Sequence, residues 1–110
     1  MAIYSNLSVD QGSTFGAEID VTDSNGDPLD LAGYTVAGQL RKTYTSTTST
    51  AFTSSVFSAS GGIVKISLNA TTTNALKAGR YVYDVELTDS TSIKSRILEG
   101  IVTVTPEVTR

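Results

Sequence analysis

Residues 79–110 read GRYVYDVELTDSTSIKSRILEGIVTVTPEVTR and contain the clearest strand pattern of the chain. Two segments in which apolar and polar residues alternate flank a short polar loop, which is the pattern of a β-hairpin. Pairing the apolar positions with each other also sets Glu86 opposite Lys94. The same register sets Asp84 opposite Arg96 and so joins opposite charges across the strands. A hairpin whose apolar and charged residues agree on one register predicts an antiparallel β domain.

The predicted register aligns three inward-facing pairs, Leu87 with Ile93, Val85 with Ser95, and Tyr83 with Ile97. After Gly100 the apolar residues change to the other face of the strand, which predicts a bulge at Gly100.

Strand patterns of the same kind recur along the rest of the chain and are separated by turn residues. The predicted strands are residues 3–9, 15–22, 34–42, 51–58 and 63–68, and residues 69–77 are predicted to form one short helical turn. With the C-terminal hairpin this makes about seven strands with closely spaced turns. We therefore expect an all-β fold, an immunoglobulin-like antiparallel β-sandwich that occupies residues 1–110 as a single domain.

Three features of the strands carry more specific expectations. Gly38 lies in the middle of a predicted strand, which indicates a bulge or the close approach of another chain segment. Tyr81 follows Leu76 at a spacing that suggests a tyrosine corner, in which the hydroxyl bonds back to the backbone. The segment 101–105, IVTVT, is apolar and uncharged, so it is either covered by the N-terminal strand or used for assembly.

Composition excludes several classes of function. The chain has 110 residues and a net charge of −3, and its eight basic residues are scattered, which argues against nucleic acid as a partner. Cysteine and histidine are absent, so disulfides, Cys or His metal sites and His-based catalytic triads are excluded. No apolar stretch is long enough to cross a membrane, and the N-terminal residues do not form a signal peptide.

The spacing Asp23-x-Asn25-x-Asp27 is that of the first ligands of a calcium loop. The motif fails further along, because Gly26 comes too early and the twelfth position is Tyr34 instead of glutamate. A β-turn between two strands explains the same residues, and we predict the turn.

Two pairs of carboxylates lie two residues apart on predicted strands, Glu18 with Asp20 and Asp84 with Glu86. Each pair shares one face, as the two acids of a glycosidase do, but a catalytic pair also needs a cleft. Exposed charges and cross-strand ion pairs account for them more simply. We therefore predict no enzyme, no catalytic, cofactor-binding or metal-binding residues, and no cofactor.

Aromatic residues suggest one further possibility, a platform that binds sugars. Most of the tyrosines and phenylalanines, Phe57 among them, are expected in the core, because strands bury aromatic residues on one face. Tyr44 and Phe52 flank the polar segment TSTTST, residues 45–50, and are the two aromatic residues expected to be exposed.

Two segments resemble proteins of tailed bacteriophages. Residues 23–42, DSNGDPLDLAGYTVAGQLRK, resemble the D-x-x-G-x-P-x-D-L-x-G-x-T-V pattern of small immunoglobulin-like phage domains, including the N-terminal domain of baseplate upper proteins. Residues 76–110, with GRYVYDVEL, ILEG and VTVTPEVTR, are similar to small virion structural proteins, particularly those of cyanophages. The two segments together make up about half of the chain.

The resemblance implies a non-enzymatic virion protein that is made in the host cytoplasm, becomes part of the virion and docks onto other virion subunits. It carries over no catalytic residues and leaves a homo-oligomer open. The alternative is a stand-alone β-sandwich module that binds carbohydrate or another surface.

Overall fold

Two β-sheets face each other in the computed structural model, which describes residues 3–108. The elements are β1 (Ile3–Tyr4), β2 (Leu7–Asp10), β3 (Phe15–Asp20), β4 (Thr35–Arg41), β5 (Thr50–Ala51), β6 (Thr53–Ser58), β7 (Ile63–Leu68), α1 (Ala70–Ala75), β8 (Gly79–Thr88) and β9 (Lys94–Thr105). The larger sheet has the strand order β1-β9-β8-β4-β5, with β2 also paired to β9, and the smaller sheet has the order β3-β7-β6. This arrangement confirms an all-β, immunoglobulin-like sandwich.

Two of the predicted strands are each divided in two. The N-terminal strand is interrupted between β1 and β2, where the Asn6 side chain accepts a hydrogen bond from the backbone of Ile101 at 3.2 Å. The strand predicted over residues 51–58 is divided at Phe52, whose N–H donates to the carbonyl of Gly38 at 2.9 Å. The next residue begins β6 in the other sheet, so the chain crosses between the sheets at Phe52.

The apolar end of β9 is covered by the N-terminal strands, which confirms the first of the two expectations for residues 101–105. β2 runs parallel to β9, with Leu7 opposite Val102 and Val9 opposite Val104. This pairing satisfies backbone groups of β9 that an open edge would leave exposed.

Gly100 allows the N-terminal segment to lie close to β9. Its φ of +156° lies in a region that residues with a side chain avoid, and a Cβ there would collide with the backbone carbonyl of Ser5. The hydroxyl of Tyr83 donates to this same carbonyl at 2.5 Å. The register of β8 and β9 is continuous at Gly100, so the prediction of a bulge at that residue was wrong.

The register predicted for the β8–β9 hairpin was also wrong. Glu86 lies opposite Arg96, two residues beyond its predicted partner. The β8–β9 ladder has a bulge at Ile97. Beyond this bulge each residue of β8 lies opposite a residue three positions after its predicted partner, so that Tyr83 lies opposite Gly100.

The loop explains the offset near the turn. The Asp89 carboxylate accepts hydrogen bonds from the backbone N–H groups of Thr91 at 2.8 Å and Ile93 at 3.0 Å. Ser92 has a positive φ of 68°, which closes a short loop over residues 90–92. Thr88 therefore pairs with Lys94, and the whole ladder shifts along β9.

Two local predictions are confirmed. The Tyr81 hydroxyl donates to the carbonyl of Lys77 at 2.7 Å, which forms the expected tyrosine corner. At Gly38, a Cβ would lie only 3.1 Å from the Asp84 carbonyl oxygen and 3.2 Å from the Phe52 ring, so this glycine marks a close approach.

The core consists of two clusters that share Ile19, Val36 and Ile97 at their boundary. We call them the closed half and the open half. The buried residues of the closed half are Val9, Leu40, Phe52, Ile66, Leu68, Leu76, Tyr83, Val85, Leu98, Val102 and Val104. Those of the open half are Val21, Leu31, Val64 and Leu87.

Candidate functional site

The acidic turn at residues 23–28 is stabilised by hydrogen bonds between the Asp23 side chain and the backbone of the turn. One Asp23 carboxylate oxygen accepts hydrogen bonds from the N–H groups of Asn25 at 2.9 Å and Asp27 at 3.1 Å. This geometry confirms the predicted turn. Within residues 3–108, no group of three or more carboxylates is arranged to hold a metal ion.

The two carboxylate pairs lie on outward faces of the sheets. Glu18 lies opposite Lys65 on the smaller sheet. On the larger sheet, Asp84 contacts the Arg96 guanidinium at 3.3 Å, which confirms one predicted ion pair although Arg96 reaches it diagonally. The same guanidinium contacts Glu99 at 3.6 Å. The predicted pair of Glu86 with Lys94 does not form, because the shifted register places Lys94 opposite Thr88.

The aromatic residues differ from the prediction in two positions. Tyr44 is exposed as expected, with 75% of its surface accessible. Phe52 is buried, and its ring centroid lies 6.2 Å from that of Phe15 and 6.1 Å from that of Tyr83. Phe57, expected in the core, is 58% exposed because a bulge in the β6–β7 ladder falls at this residue. A platform made from Tyr44 and Phe52 is therefore excluded.

Tyr44 is presented by a tight turn at the end of β4. The Arg41 guanidinium donates to the Ser46 carbonyl at 2.7 Å, and the Thr43 N–H donates to the Ser46 hydroxyl at 3.1 Å. The Ser46 N–H in turn donates to the Thr43 carbonyl at 3.1 Å. These bonds hold the turn against β4.

A shallow groove of about 290 Å³ crosses the outward face of the larger sheet beside Tyr44. We call it the outer groove. Its polar character comes from strand register, which places Gln39, Asp84 and Glu99 side by side on three adjacent strands. The lining residues are Gln39, Arg41, Tyr44, Val82, Tyr83, Asp84, Glu86, Arg96 and Glu99.

A second opening of about 370 Å³ enters the open half from the side. We call it the lateral cleft. Its most exposed apolar residues are Ile3 at 61% and Ile93 at 63%. Sequence reasoning missed this cleft, because the predicted register buried Ile93 against Leu87. The lining residues are Ile3, Ile19, Asp20, Val21, Thr22, Leu29, Tyr34, Leu87, Asp89, Ile93, Ser95, Arg96 and Ile97.

Among residues 3–108, two groups have shifted pKa values. Hydrogen bonds from the Ile93 backbone and the Thr91 hydroxyl lower the pKa of Asp89, so its carboxylate stays ionised at the rim of the lateral cleft. Burial raises the pKa of Tyr83 to about 12, so this hydroxyl is neutral at physiological pH. Tyr83 therefore acts as a buried hydrogen-bond donor and not as a base.

No protein-family model and no curated protein matches the sequence. Two solved structures illustrate what the chain is similar to. An internalin-like protein of Listeria monocytogenes superposes with a TM-score of 0.52 at 17% identity, over 94% of this chain and 28% of that chain. A family 123 glycoside hydrolase from Clostridium perfringens gives a TM-score of 0.43 at 14% identity, over 97% of this chain and 24% of that chain.

The chain therefore spans roughly a quarter of the length of these solved chains. At 17% identity the likeness to the internalin-like protein supports the fold alone, an immunoglobulin-like β-sandwich. A fold of this kind carries many unrelated functions, so function has to be argued from the surface of this chain. No helix in the described part of the chain is long and apolar enough to span a membrane.

Proposed function

We propose that this protein is a non-enzymatic structural component of a tailed-phage virion that docks onto other virion subunits through its lateral cleft. The observation that carries the docking surface is the exposure of Ile3 and Ile93 at the mouth of an opening into the core. The virion context is supported by the resemblance of residues 23–42 and 76–110 to phage proteins.

The lateral cleft suits a protein partner because apolar surface and a free strand edge lie together. Exposed apolar patches of this kind are typical of protein interaction sites. β3 borders the cleft and, among residues 3–108, pairs with β7 alone, so its other edge has backbone groups that a partner strand can bond. Burying Ile3 and Ile93 against a partner removes them from water, at roughly 25 cal/mol per Å² of apolar surface.

The charged residues at the rim of the lateral cleft indicate which side chains its partner carries. Asp20 and Asp89 both line the cleft, and the lowered pKa of Asp89 keeps its charge. Arg96 also lines it, but its guanidinium is engaged by Asp84 and Glu99. The partner segment is therefore an extended, largely apolar stretch that carries a basic side chain.

The surroundings of the carboxylate pairs support a non-enzymatic role. The two acids of a glycosidase flank the bond that is cleaved within a cleft. Asp84 instead contacts Arg96 on an outward face of the larger sheet, and Glu18 lies opposite Lys65 on the smaller sheet.

Quantitative mass spectrometry of gradient-purified phage particles from the source tests the virion role. A fixed copy number per particle is the expected result, and absence of the chain from intact particles would overturn the proposal.

Site-specific crosslinking tests the docking surface, because the chain contains no cysteine of its own. A photo-crosslinker on Ser95→Cys would lie in the lateral cleft, and the matched control, Ser55→Cys, lies on the exposed face of β6. We expect the cleft position to capture one virion subunit in the particle and the control position to capture none. Equal capture from both positions would contradict docking through the cleft.

A further inference from the structure

The outer groove is a trough along the central strand β8, with longer side chains from the two flanking strands on either side. Its floor follows β8, whose outward side chains Val82 and Asp84 are short. Longer side chains stand on both sides, from the strands that flank β8 in the sheet. They are Gln39 and Arg41 from β4, and Arg96 and Glu99 from β9.

An exposed aromatic ring stands at one end of this groove. Tyr44 lines the groove and is 75% accessible. Its turn is held by the bond from Arg41 to the Ser46 carbonyl, so little backbone freedom is lost when a ligand binds. A tyrosine ring offers a flat apolar face together with a polar hydroxyl. Such a ring, with Val82 beside it in the groove, can receive the C–H face of a sugar ring.

The polar side chains of the groove are held in place by one another and still face solvent. The side chains of Asp84, Arg96 and Glu99 are 36%, 48% and 33% accessible. A carboxylate can accept about four hydrogen bonds and a guanidinium can donate about five, so one or two ion-pair contacts leave capacity for a ligand. Glu86, in the same groove, makes no ion pair with the other described residues.

This mixture of donors and acceptors indicates the class of ligand. Three carboxylates, of Asp84, Glu86 and Glu99, stand against two guanidiniums, so the groove carries a net charge of −1 and disfavours anions. Neutral hydroxyl groups both donate and accept, and they match such a surface without a charge of their own. The volume of about 290 Å³ is near the lower end for ligand pockets, which suits one or two sugar rings.

We infer that the outer groove binds a neutral saccharide. Tyr44 stacks on one sugar ring, and Asp84, Glu86 and Arg96 form hydrogen bonds with hydroxyl groups of the saccharide. This inference is independent of docking through the lateral cleft, because the two openings lie on different faces and share only Arg96.

Amide NMR titration of the full chain tests the inference. The probes are neutral gluco-, galacto- and manno-oligosaccharides, with a sialylated oligosaccharide and a lysine-rich peptide as separate arms. We expect at least one neutral saccharide to shift the amides of Tyr44 and residues 82–86, with a Kd between about 1 μM and 1 mM.

Variants distinguish stacking on Tyr44 from nonspecific binding to exposed aromatic rings. Tyr44→Ala is expected to weaken binding by about tenfold or more, which corresponds to roughly 1.4 kcal/mol. The matched control is Phe57→Ala, which removes an exposed aromatic ring from the other sheet and should leave the Kd unchanged. Glu86→Gln keeps the shape of the side chain and should weaken binding by a smaller factor. The amide spectrum of each free variant verifies that it is folded.

Four results would overturn the inference. One is the absence of shifts in the groove with every neutral saccharide up to about 10 mM. A second is equal affinity of Tyr44→Ala and the wild type. A third is a set of shifts confined to the lateral cleft. The last is binding by the lysine-rich peptide or the sialylated sugar alone.

Discussion

The closed half and the open half of the core are built from the same two sheets but are sealed differently. In the closed half, the rings of Phe15, Phe52 and Tyr83 pack together between the sheets. In the open half, four aliphatic residues are buried, of which Val21 and Leu87 line the lateral cleft, and Ile93 remains exposed. The difference shows that large side chains and strand coverage, and not strand pairing alone, decide where a sandwich closes.

Coverage by the N-terminal strands differs between the halves in the same way. β2 pairs with four residues of β9 and β1 pairs with Leu98 and Glu99, whereas no described strand pairs with the outer edge of residues 94–97 beside the lateral cleft. The edge of β9 is therefore covered beside the closed half, whereas Ile3 and Ile93 leave apolar surface exposed at the lateral cleft. This exposed surface is available to a partner.

Phe52→Ala should break the closed half and gives the largest expected effect. Removing a buried ring that contacts two others costs about 3–5 kcal/mol of unfolding free energy. Ile93→Ala in the open half removes an exposed side chain and should change stability by less than about 0.5 kcal/mol. Urea unfolding of both variants measures the contrast, and equal losses would contradict the distinction between the halves.

Gly100→Ala should open the covered edge of the closed half. The new methyl group would collide with the Ser5 carbonyl in a backbone conformation that alanine avoids, at an expected cost of about 2–4 kcal/mol. Hydrogen exchange should become faster in residues 7–10 as β2 separates from β9. The control is Gly16→Ala, where a Cβ meets no atom within 4 Å and stability should change by less than about 1 kcal/mol. Unchanged exchange in β2 would show that Gly100 does not control the coverage.

The Tyr83 hydroxyl should make the closed half sensitive to alkali. Its pKa is raised to about 12 in the folded protein from 10.0, so the folded state holds this proton more tightly than the unfolded state. Its contribution to stability is complete below pH 10 and is lost as the pH rises from 10 to 12, by about 2–3 kcal/mol in total. Urea midpoints over this pH range measure the loss. Tyr83→Phe should remove this part of the pH dependence, and the same decline in the variant would contradict the assignment to Tyr83.

Most of the local structure was predictable from the sequence. Alternation identified the inward residues of β3 and β7. The corner at Tyr81 was also predictable, because its hydroxyl reaches a carbonyl only four residues away. All of these features depend on neighbours in the chain.

The candidate sites were predictable only in part. Tyr44 was expected to be exposed, but Phe52 was paired with it incorrectly. The pattern of strand residues does not reveal that the chain changes sheets at Phe52. An exposed and a buried Phe52 are both compatible with the same alternation. The lateral cleft was missed for a similar reason, because a shift of two residues in the hairpin moved Ile93 from a buried pair to the surface.

Which segments are strands and which of their faces are apolar follows from the local sequence, because a side-chain period of two is a local property of the backbone. The crossing at Phe52 depends on tertiary contacts, because its N–H bonds to Gly38 in another strand. The register of β9 depends both on pairing along the whole ladder and on the local hydrogen bonds of Asp89 that close the loop. The outer groove and the lateral cleft follow from that register, because it determines which side chains become neighbours across the strands.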